Sequence, residues 1–142
     1  METLPHETFE KYLSCFSGHT LEWKGILYPS VEHAYHCERY EDPEVLATIM
    51  AADTPRSAWE ISQSYKHTQR PGWDEMKRSV MKELFRAKLA QHADVYNALS
   101  TSGDAAIVKH QSDAYWGDNL DGSGQNVMGK VWMELRAELQ PK

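Results

Sequence analysis

Apolar side chains recur every three to four residues in several stretches of the chain, which is the spacing of a helix with one buried face. The longest stretch runs from Asp74 to His92. Its two neighbouring apolar ridges are formed by Met76, Val80 and Leu84 and by Met81, Phe85 and Leu89. Lys88 lies beside these ridges, and its long side chain could carry the ammonium group out of the apolar stripe. This pattern predicts the clearest helix of the chain.

Shorter helices are predicted where a capping residue precedes an apolar repeat. Ser, Thr, Asp and Asn at this position accept hydrogen bonds from the free N–H groups of the first turn, and Pro fits the first helical position. The predicted starts are Ser30, Asp42-Pro43, Thr54-Pro55, Asp94 and Asn126. We expect a helix over 28–40, and a further helix after each of the other four starts. The inner face of the last helix is predicted to be Val127, Val131, Leu135 and Leu139.

Strand signals are few. Two short apolar runs flank Lys24-Gly25, which predicts a β-hairpin over 21–28, and an apolar run predicts one more strand at 105–109. Residues 1–11 are polar and are expected to pack loosely. Because no repeat, low-complexity tract or linker interrupts 1–142, we predict one α+β domain. It should be mostly helical, with a small antiparallel sheet formed by the hairpin and the 105–109 strand.

Composition narrows the class of partner. The chain is 41% hydrophobic and 25% charged, which is ordinary for a globular protein, and its net charge of −6 argues against non-specific binding to nucleic acid or anionic membranes. No apolar run approaches the ~18 residues of a membrane span, and no signal-peptide pattern opens the chain. We therefore expect a cytoplasmic protein without a membrane partner, with Cys15 and Cys37 as free thiols.

Glu32 is the first residue that could carry chemistry. It lies in the first turn of the 28–40 helix, where the helix dipole favours a carboxylate. On one interpretation Glu32 serves only the helix end. On the other it is a general base or stabilises a positive charge. This stretch of sequence does not decide between them.

Two polar loops carry further candidates. The 62–72 loop ends in Arg70-Pro71-Gly72 immediately before Trp73, and the 111–126 loop contains Asp113 and Trp116. Loop aromatics outside a periodic apolar face are harder to explain by packing than helical ones. For each tryptophan, however, packing at a helix start or inside the loop remains an equal alternative.

Several other chemistries are disfavoured. His33, His36 and Cys37 have helical spacing, but no second His/Cys pair completes a zinc site. The loop 119–124 resembles the start of a calcium loop, yet Lys130 occupies the position of the required bidentate glutamate. With two cysteines and seven histidines, a possible Cys–His nucleophile pair is expected by chance and is weak evidence. Nucleotide-binding glycine motifs and a GxSxG motif are absent from the sequence.

Six short motifs occur together in one order. They are Pro29-Ser30-Val31-Glu32-His33-Ala34-Tyr35, Arg70-Pro71-Gly72-Trp73-Asp74 with Val80-Met81, Ala87-Lys88, Thr101-x-Gly103-Asp104, Asp113-x-x-Trp116-Gly117 and Gly124-x-Asn126-x-x-Gly129-Lys130. In this order they resemble the YbiA-like, or NADAR, family from about Tyr12 to Leu139. The sequence departs from the family pattern at Cys15 (usually Asn), His36 (Gln), Arg39 (Lys) and Lys109 (acidic).

The resemblance implies a YbiA-like fold and an N-glycosidase that uses no metal or organic cofactor. The implied substrates are phosphoribosylamino-pyrimidine intermediates of riboflavin biosynthesis, with release of ribose 5-phosphate. Alternatives are removal of ADP-ribose from modified guanine in nucleic acid and non-catalytic binding of ADP-ribose or a nucleotide. By matching position, the implied catalytic residues are Glu32, Asp113 and Trp73. The implied substrate-binding residues are His33, Tyr35, Arg39, Arg70, Lys88, Trp116, Gly117 and Asn126.

The residue types suit this reaction. Cleaving a ribosyl C–N bond creates an oxocarbenium-like ribose, which needs a nearby anion and a base for water. Glu32 and Asp113 could share these roles, as paired carboxylates do in O-glycosidases. A tryptophan could stack on the released base, and Arg39, Lys66, Arg70 and Lys88 are candidates to hold phosphate. We expect Glu32, Trp73, Asp113, Trp116 and Asn126 to line one cleft.

Overall fold

In a computed structural model of the chain, residues 2–139 are described, and they form seven α-helices and one two-stranded antiparallel sheet. The helices are α1 (His6–Thr8), α2 (Val31–Arg39), α3 (Pro43–Met50), α4 (Pro55–Ser64), α5 (Trp73–Gln91), α6 (Ala93–Ser100) and α7 (Val127–Glu138). The strands are β1 (Leu21–Trp23) and β2 (Ile26–Tyr28). The predicted α+β, mostly helical fold with a small antiparallel sheet is confirmed. None of the helices within residues 2–139 is long and apolar enough to cross a membrane.

Three of the predicted helix starts are confirmed by their capping bonds. The side chains of Ser30, Asp42 and Thr54 each accept a hydrogen bond from a backbone N–H two or three residues further on. Pro43 and Pro55 occupy the first helical positions, where a missing N–H costs nothing. The loop after α4 is shorter than expected, since α4 continues to Ser64 and a 3₁₀ turn follows.

The two remaining starts differ from the prediction. Helix α6 begins two residues earlier than expected, with His92 as its N-cap, and Asp94 lies inside the first turn, where its carboxylate accepts from Val95 N–H. Asn126 is the N-cap residue of α7, but its backbone is left-handed and its side chain makes no capping bond. Its amide is used elsewhere.

The contacts divide the chain into two compact units, one of which is Cys15–Gln91. It contains the hairpin, whose register pairs Leu21 with Tyr28, and helices α2 to α5. Helix α2 packs against α3, α4 and α5. Part of the hydrophobic core of this unit is a cluster of Tyr40, Val45, Ile49 and Ala58. On α5 the ridge of Met81, Phe85 and Leu89 is buried as predicted. In the other ridge Met76 is exposed.

The second unit consists of the described residues of 1–14 and 92–142. Leu4 and Phe9 are buried, so the N-terminal segment is packed at these residues rather than loose. A π-helical turn, Phe9–Leu13, extends α1. Trp132 of α7 is fully buried and its indole N–H donates to the Leu13 carbonyl at 3.0 Å.

The predicted 105–109 strand does not form, and that expectation is wrong. Ala106 exchanges backbone hydrogen bonds with Glu2 and Leu4, which makes a single parallel bridge and no ladder. The neighbouring polar groups bind a side chain instead. The Asn126 amide donates to the Ile107 carbonyl and accepts from Lys109 N–H, each at 2.9 Å. Because the Ile107 carbonyl and the Lys109 N–H are hydrogen-bonded by this side chain, they need no partner strand.

Candidate active site

The Glu32 carboxylate is buried at the start of α2. Glu32 is 7% exposed, and its Oε1 accepts a hydrogen bond from His36 Nε2 at 2.6 Å, one helical turn away. The helix end does not depend on this carboxylate, because Ser30 Oγ accepts from His33 N–H and the Cys15 carbonyl accepts from Glu32 N–H. A buried carboxylate that does not cap its helix is a candidate for chemistry.

Aromatic rings lie beside this pair. The Tyr35 ring meets the His36 ring edge-on at 5.0 Å and the Trp73 ring at 5.2 Å. The Trp73 side chain hydrogen-bonds to that of Tyr35. Burial raises the pKa of Tyr35 well above its usual value of 10.0, so the hydroxyl stays protonated at neutral pH. Next to Glu32, the site therefore contains a neutral phenol rather than a second anion.

Trp73, which the resemblance implies as a catalytic residue, is almost fully enclosed. It is the first residue of α5, it is only 2% exposed, and it packs edge-to-face on Tyr35. A ring enclosed in this way has no open face for a base. The alternative of packing at the helix start fits this environment, and a catalytic role of Trp73 stays a prediction.

Arg39 and Arg70 are held next to each other through their backbones and their Nε atoms. Arg70 N–H donates to the Arg39 carbonyl at 2.8 Å. Arg39 Nε donates to Gln69 Oε1, and Arg70 Nε donates to the Glu38 carbonyl, each at 3.0 Å. Both bonds use Nε and not the terminal guanidinium nitrogens. The arrangement orients two cationic groups at the end of α2, which suits an anion.

Two predicted substrate-binding residues are committed to the interior. His33 is fully buried, with Nδ1 bonded to Ser30 Oγ at 2.7 Å and Nε2 to the Ala52 carbonyl at 3.0 Å. Lys88 is 0% exposed and donates to Ser17 Oγ at 2.6 Å, so its ammonium group does not extend out to solvent. That His33 and Lys88 bind the substrate stays a prediction.

Asp113 organises the glycine-bearing loop of the other unit. Its Oδ1 accepts from the backbone N–H groups of Tyr115 and Trp116, at 2.9 and 2.7 Å. The half-buried Trp116 ring packs edge-on against Tyr115 at 4.8 Å. Asp113 itself is half-buried, and these bonds do not use its Oδ2 atom. Asp113 thus holds the loop through Oδ1, and these bonds leave Oδ2 available for a second role.

Gly117 and Asn126 serve the packing of this loop. A Cβ atom on Gly117 would lie 3.0 Å from the Lys109 carbonyl, and one on Gly124 would lie 2.2 Å from the Gly117 carbonyl. Both ends of the Asn126 amide are taken by Ile107 and Lys109. These contacts give Gly117 and Asn126 structural roles in the loop, and their binding of substrate stays a prediction.

The predicted residues form two groups, one in each unit. Glu32, Tyr35, Arg39, Arg70 and Trp73 belong to Cys15–Gln91, and Asp113, Trp116, Gly117 and Asn126 belong to the other unit. That both groups line one cleft stays a prediction. Sequence reasoning missed His36 as the partner of Glu32, although their i, i+4 spacing on one helix was the available signal.

Two departures from the family pattern also have partners. The Lys109 ammonium forms an ion pair with Glu10, so its charge is compensated within its own unit. Cys15 is buried, and its Sγ lies 3.6 Å from Met81 Sδ. Both departures are therefore accommodated by contacts within their own units.

Comparison with known proteins fits this architecture. Residues 4–140 match the NADAR domain. The chain belongs to the NADAR domain family. The NMR structure of the E. coli protein YbiA superposes with a TM-score of 0.81 at 31% identity, covering 89% of this chain and 76% of that one. The resemblance drawn from the six motifs and the YbiA-like fold are both confirmed.

Curated relatives in this NADAR family carry enzymatic names. The chain is 32% identical over 127 residues to N-glycosidase YbiA of Escherichia coli strain K12, which covers 89% of this chain and 79% of that protein. It is 31% identical over 130 residues to a riboflavin biosynthesis protein of Vibrio vulnificus, covering 91% of this chain. The match spans only 35% of the Vibrio protein. These names support a glycosidase enzyme acting on a glycosylated small molecule.

Proposed function

We propose that this protein hydrolyses the ribosyl C–N bond of phosphoribosylamino-pyrimidines, the intermediates of riboflavin biosynthesis. Water adds to the anomeric carbon, the C–N bond breaks, and the products are ribose 5-phosphate and an aminopyrimidine. The observation that carries the proposal is the buried Glu32 carboxylate paired with His36 at 2.6 Å. The name of the Vibrio relative supports the riboflavin substrate.

Glu32 is the proposed catalytic carboxylate. As the C–N bond lengthens, positive charge develops on the ribose ring, and a carboxylate in a water-poor site stabilises that charge more strongly than one in water. The same group can take a proton from the attacking water. Glu32 suits both tasks because its helix start is capped by other groups and its carboxylate is already desolvated.

The remaining roles follow from the contacts of each side chain. We assign the substrate phosphate to Arg39 and Arg70, since both are fixed through Nε and their terminal nitrogens suit a phosphate. Tyr35 is proposed as a neutral hydrogen-bonding group, oriented by Trp73. Asp113 is proposed as the second carboxylate, and the half-buried Trp116 as the ring that stacks on the pyrimidine.

A second reaction of the same bond class is removal of ADP-ribose from modified guanine. It would use the same carboxylate chemistry with a nucleic-acid leaving group. The net charge of −6 makes a nucleic-acid substrate less suitable, because it repels a polyanion at long range. A non-catalytic binder of the anionic ADP-ribose would have no use for a buried carboxylate.

Incubation with two substrates separates these functions. The protein is mixed with a phosphoribosylamino-pyrimidine and, in parallel, with ADP-ribosylated DNA, and the release of ribose 5-phosphate or ADP-ribose is followed by mass spectrometry. We expect catalytic release of ribose 5-phosphate. Release of ADP-ribose alone would contradict the pyrimidine substrate, and binding of ADP-ribose without turnover of either substrate would contradict an enzyme.

A further inference from the structure

The buried ring of His36 has one nitrogen that no protein contact explains. Its side chain is 2% exposed, and Nε2 donates to Glu32 Oε1. Within residues 2–139, Nδ1 of the same ring is the buried side-chain polar atom without a hydrogen-bond partner. Buried polar atoms are nearly always paired, and an exception in a native site calls for a functional reason.

These two contacts indicate which nitrogen of His36 carries the proton. At 2.6 Å from a carboxylate oxygen, Nε2 must be a donor. Among residues 2–139, no protein group accepts a hydrogen bond from a second proton on Nδ1. The ring is therefore assigned as the neutral Nε2–H tautomer on its hydrogen-bond network. A neutral donor orients the Glu32 carboxylate without cancelling its negative charge.

The helix makes this orientation rigid. Glu32 and His36 are i and i+4 on α2, and the edge of the Tyr35 ring lies against the imidazole at 5.0 Å. Tyr35 is itself held by Trp73. His36 therefore has a defined side-chain position and holds one oxygen of Glu32 in place. The other oxygen of Glu32 is left for the reaction.

We propose that His36 is a positioning residue for Glu32, and that its open Nδ1 accepts a hydrogen bond from a water molecule or a substrate hydroxyl taken up by the site. This inference rests on the proposed function, because it assigns Glu32 the catalytic role. His36 acts through Glu32 and stabilises the carboxylate in the orientation that the transition state needs.

Two amide variants separate the two ring nitrogens. The amide nitrogen of His36→Gln reaches the position of Nε2 and keeps a donor to Glu32, whereas the shorter amide of His36→Asn reaches only the position of Nδ1. With a phosphoribosylamino-pyrimidine as substrate, we expect His36→Asn to lower kcat about 10²-fold with KM changed less than about threefold. His36→Gln should keep kcat within about tenfold of wild type. Equal losses in both variants, or a loss confined to KM, would overturn the positioning role.

A double-mutant cycle tests whether His36 acts through Glu32. In a Glu32→Gln background, adding His36→Asn should change kcat less than about threefold, because the group that His36 positions is already gone. A further loss of the full 10²-fold would show an independent role and overturn the proposal. Circular dichroism of each variant checks that it is folded.

Imidazole ¹⁵N NMR of the wild-type protein provides a readout that needs no turnover. We expect His36 with Nε2 protonated and Nδ1 unprotonated, and a shift of the Nε2 signal in Glu32→Gln. A protonated Nδ1 would overturn the assignment. An inactive wild-type protein with the expected spectrum would contradict the proposed function but not the pairing, so the two failures are distinguishable.

Discussion

Ser30 and His33 hold the start of helix α2 through two reciprocal contacts. His33 N–H donates to Ser30 Oγ at 3.2 Å, and the same oxygen lies 2.7 Å from His33 Nδ1. His33 Nε2 reaches the Ala52 carbonyl, so the ring also connects α2 to the residues after α3. The helix end is thus fixed without Glu32, which leaves the Glu32 carboxylate available for chemistry.

Ser30→Ala should destabilise the protein by about 1–3 kcal/mol. The variant loses the cap and leaves the buried His33 Nδ1 without its partner. Urea unfolding measures the change. Thr54→Ala is a matched control, since Thr54 caps α4 from a more exposed position, and it should cost about 1 kcal/mol. Equal losses in the two variants would contradict the added role of the Ser30–His33 contact.

Gly129→Ala should destabilise the protein, although alanine is normally the better helix former by about 1 kcal/mol. A Cβ atom at Gly129 would lie 2.0 Å from the Ile107 carbonyl and 2.5 Å from Asn126 Nδ2. Relief requires a backbone shift, so we expect a loss of about 3 kcal/mol or more in thermal or urea unfolding. Gly18→Ala, with no atom within 4 Å of the new Cβ, is the control and should be near neutral. A stabilised Gly129→Ala would refute this close approach.

Cys37 should react slowly with alkylating agents. Burial, with a smaller contribution from the Glu38 charge, raises the pKa of the Cys37 thiol to about 11. At pH 8 the thiolate fraction is then about 10²-fold below that of an ordinary cysteine, and iodoacetamide labelling should slow in proportion. Mass spectrometry of the native protein measures the rate. Labelling as fast as in urea would contradict this environment.

The same shift fixes the sign of a stability change with pH. Because the folded state holds the Cys37 proton more tightly than the unfolded state, its contribution is fully present below the ordinary thiol pKa. It is lost as pH rises toward about 11. The pH-dependent fall in unfolding free energy over this range should be smaller in Cys37→Ser. The same pH dependence of the unfolding free energy in Cys37→Ser and wild type would contradict this contribution of Cys37.

How much of the molecule could be predicted depended on the range of the interactions. Capping at Ser30, Asp42 and Thr54 is local, so residues a few positions apart were enough. The burial of the Lys88 ammonium group depends on a long-range contact, because the Ser17 hydroxyl that it binds lies 71 residues away in the sequence. The apolar stripe predicted where Lys88 sits on α5 but not that its ammonium would be buried.

The candidate site shows the same division. Its residues could be named from the motifs, yet the motifs did not separate chemistry from packing. Asn126 bonds to Ile107 and Lys109, 19 and 17 residues away, and this pairing also replaced the expected 105–109 strand. Trp73 is enclosed by Tyr35, a contact between two helices. Long-range partners of this kind are not encoded in any short stretch of sequence.

Asp113 should show two separable effects. Asp113→Asn keeps an oxygen that accepts from Tyr115 and Trp116 N–H, so stability should stay within about 0.5 kcal/mol. If the charge of Asp113 is catalytic, kcat should fall about 10²-fold or more. Asp113→Ala should add a stability loss of about 1 kcal/mol by removing the acceptor. Full activity in a folded Asp113→Asn would restrict Asp113 to loop structure.

The turnover of Glu32→Gln on a phosphoribosylamino-pyrimidine tests the central claim most directly, with Glu44→Gln as its control. Glu32 and Glu44 both lie in the first turn of a capped helix, but Glu32 is buried and Glu44 is exposed. A helix-dipole role alone would cost each variant about 0.3–1 kcal/mol of stability and leave the rate intact. We predict that Glu32→Gln releases ribose 5-phosphate about 10²–10⁴-fold more slowly than wild type, and that Glu44→Gln is unchanged. Normal turnover by folded Glu32→Gln would contradict the catalytic role of this carboxylate.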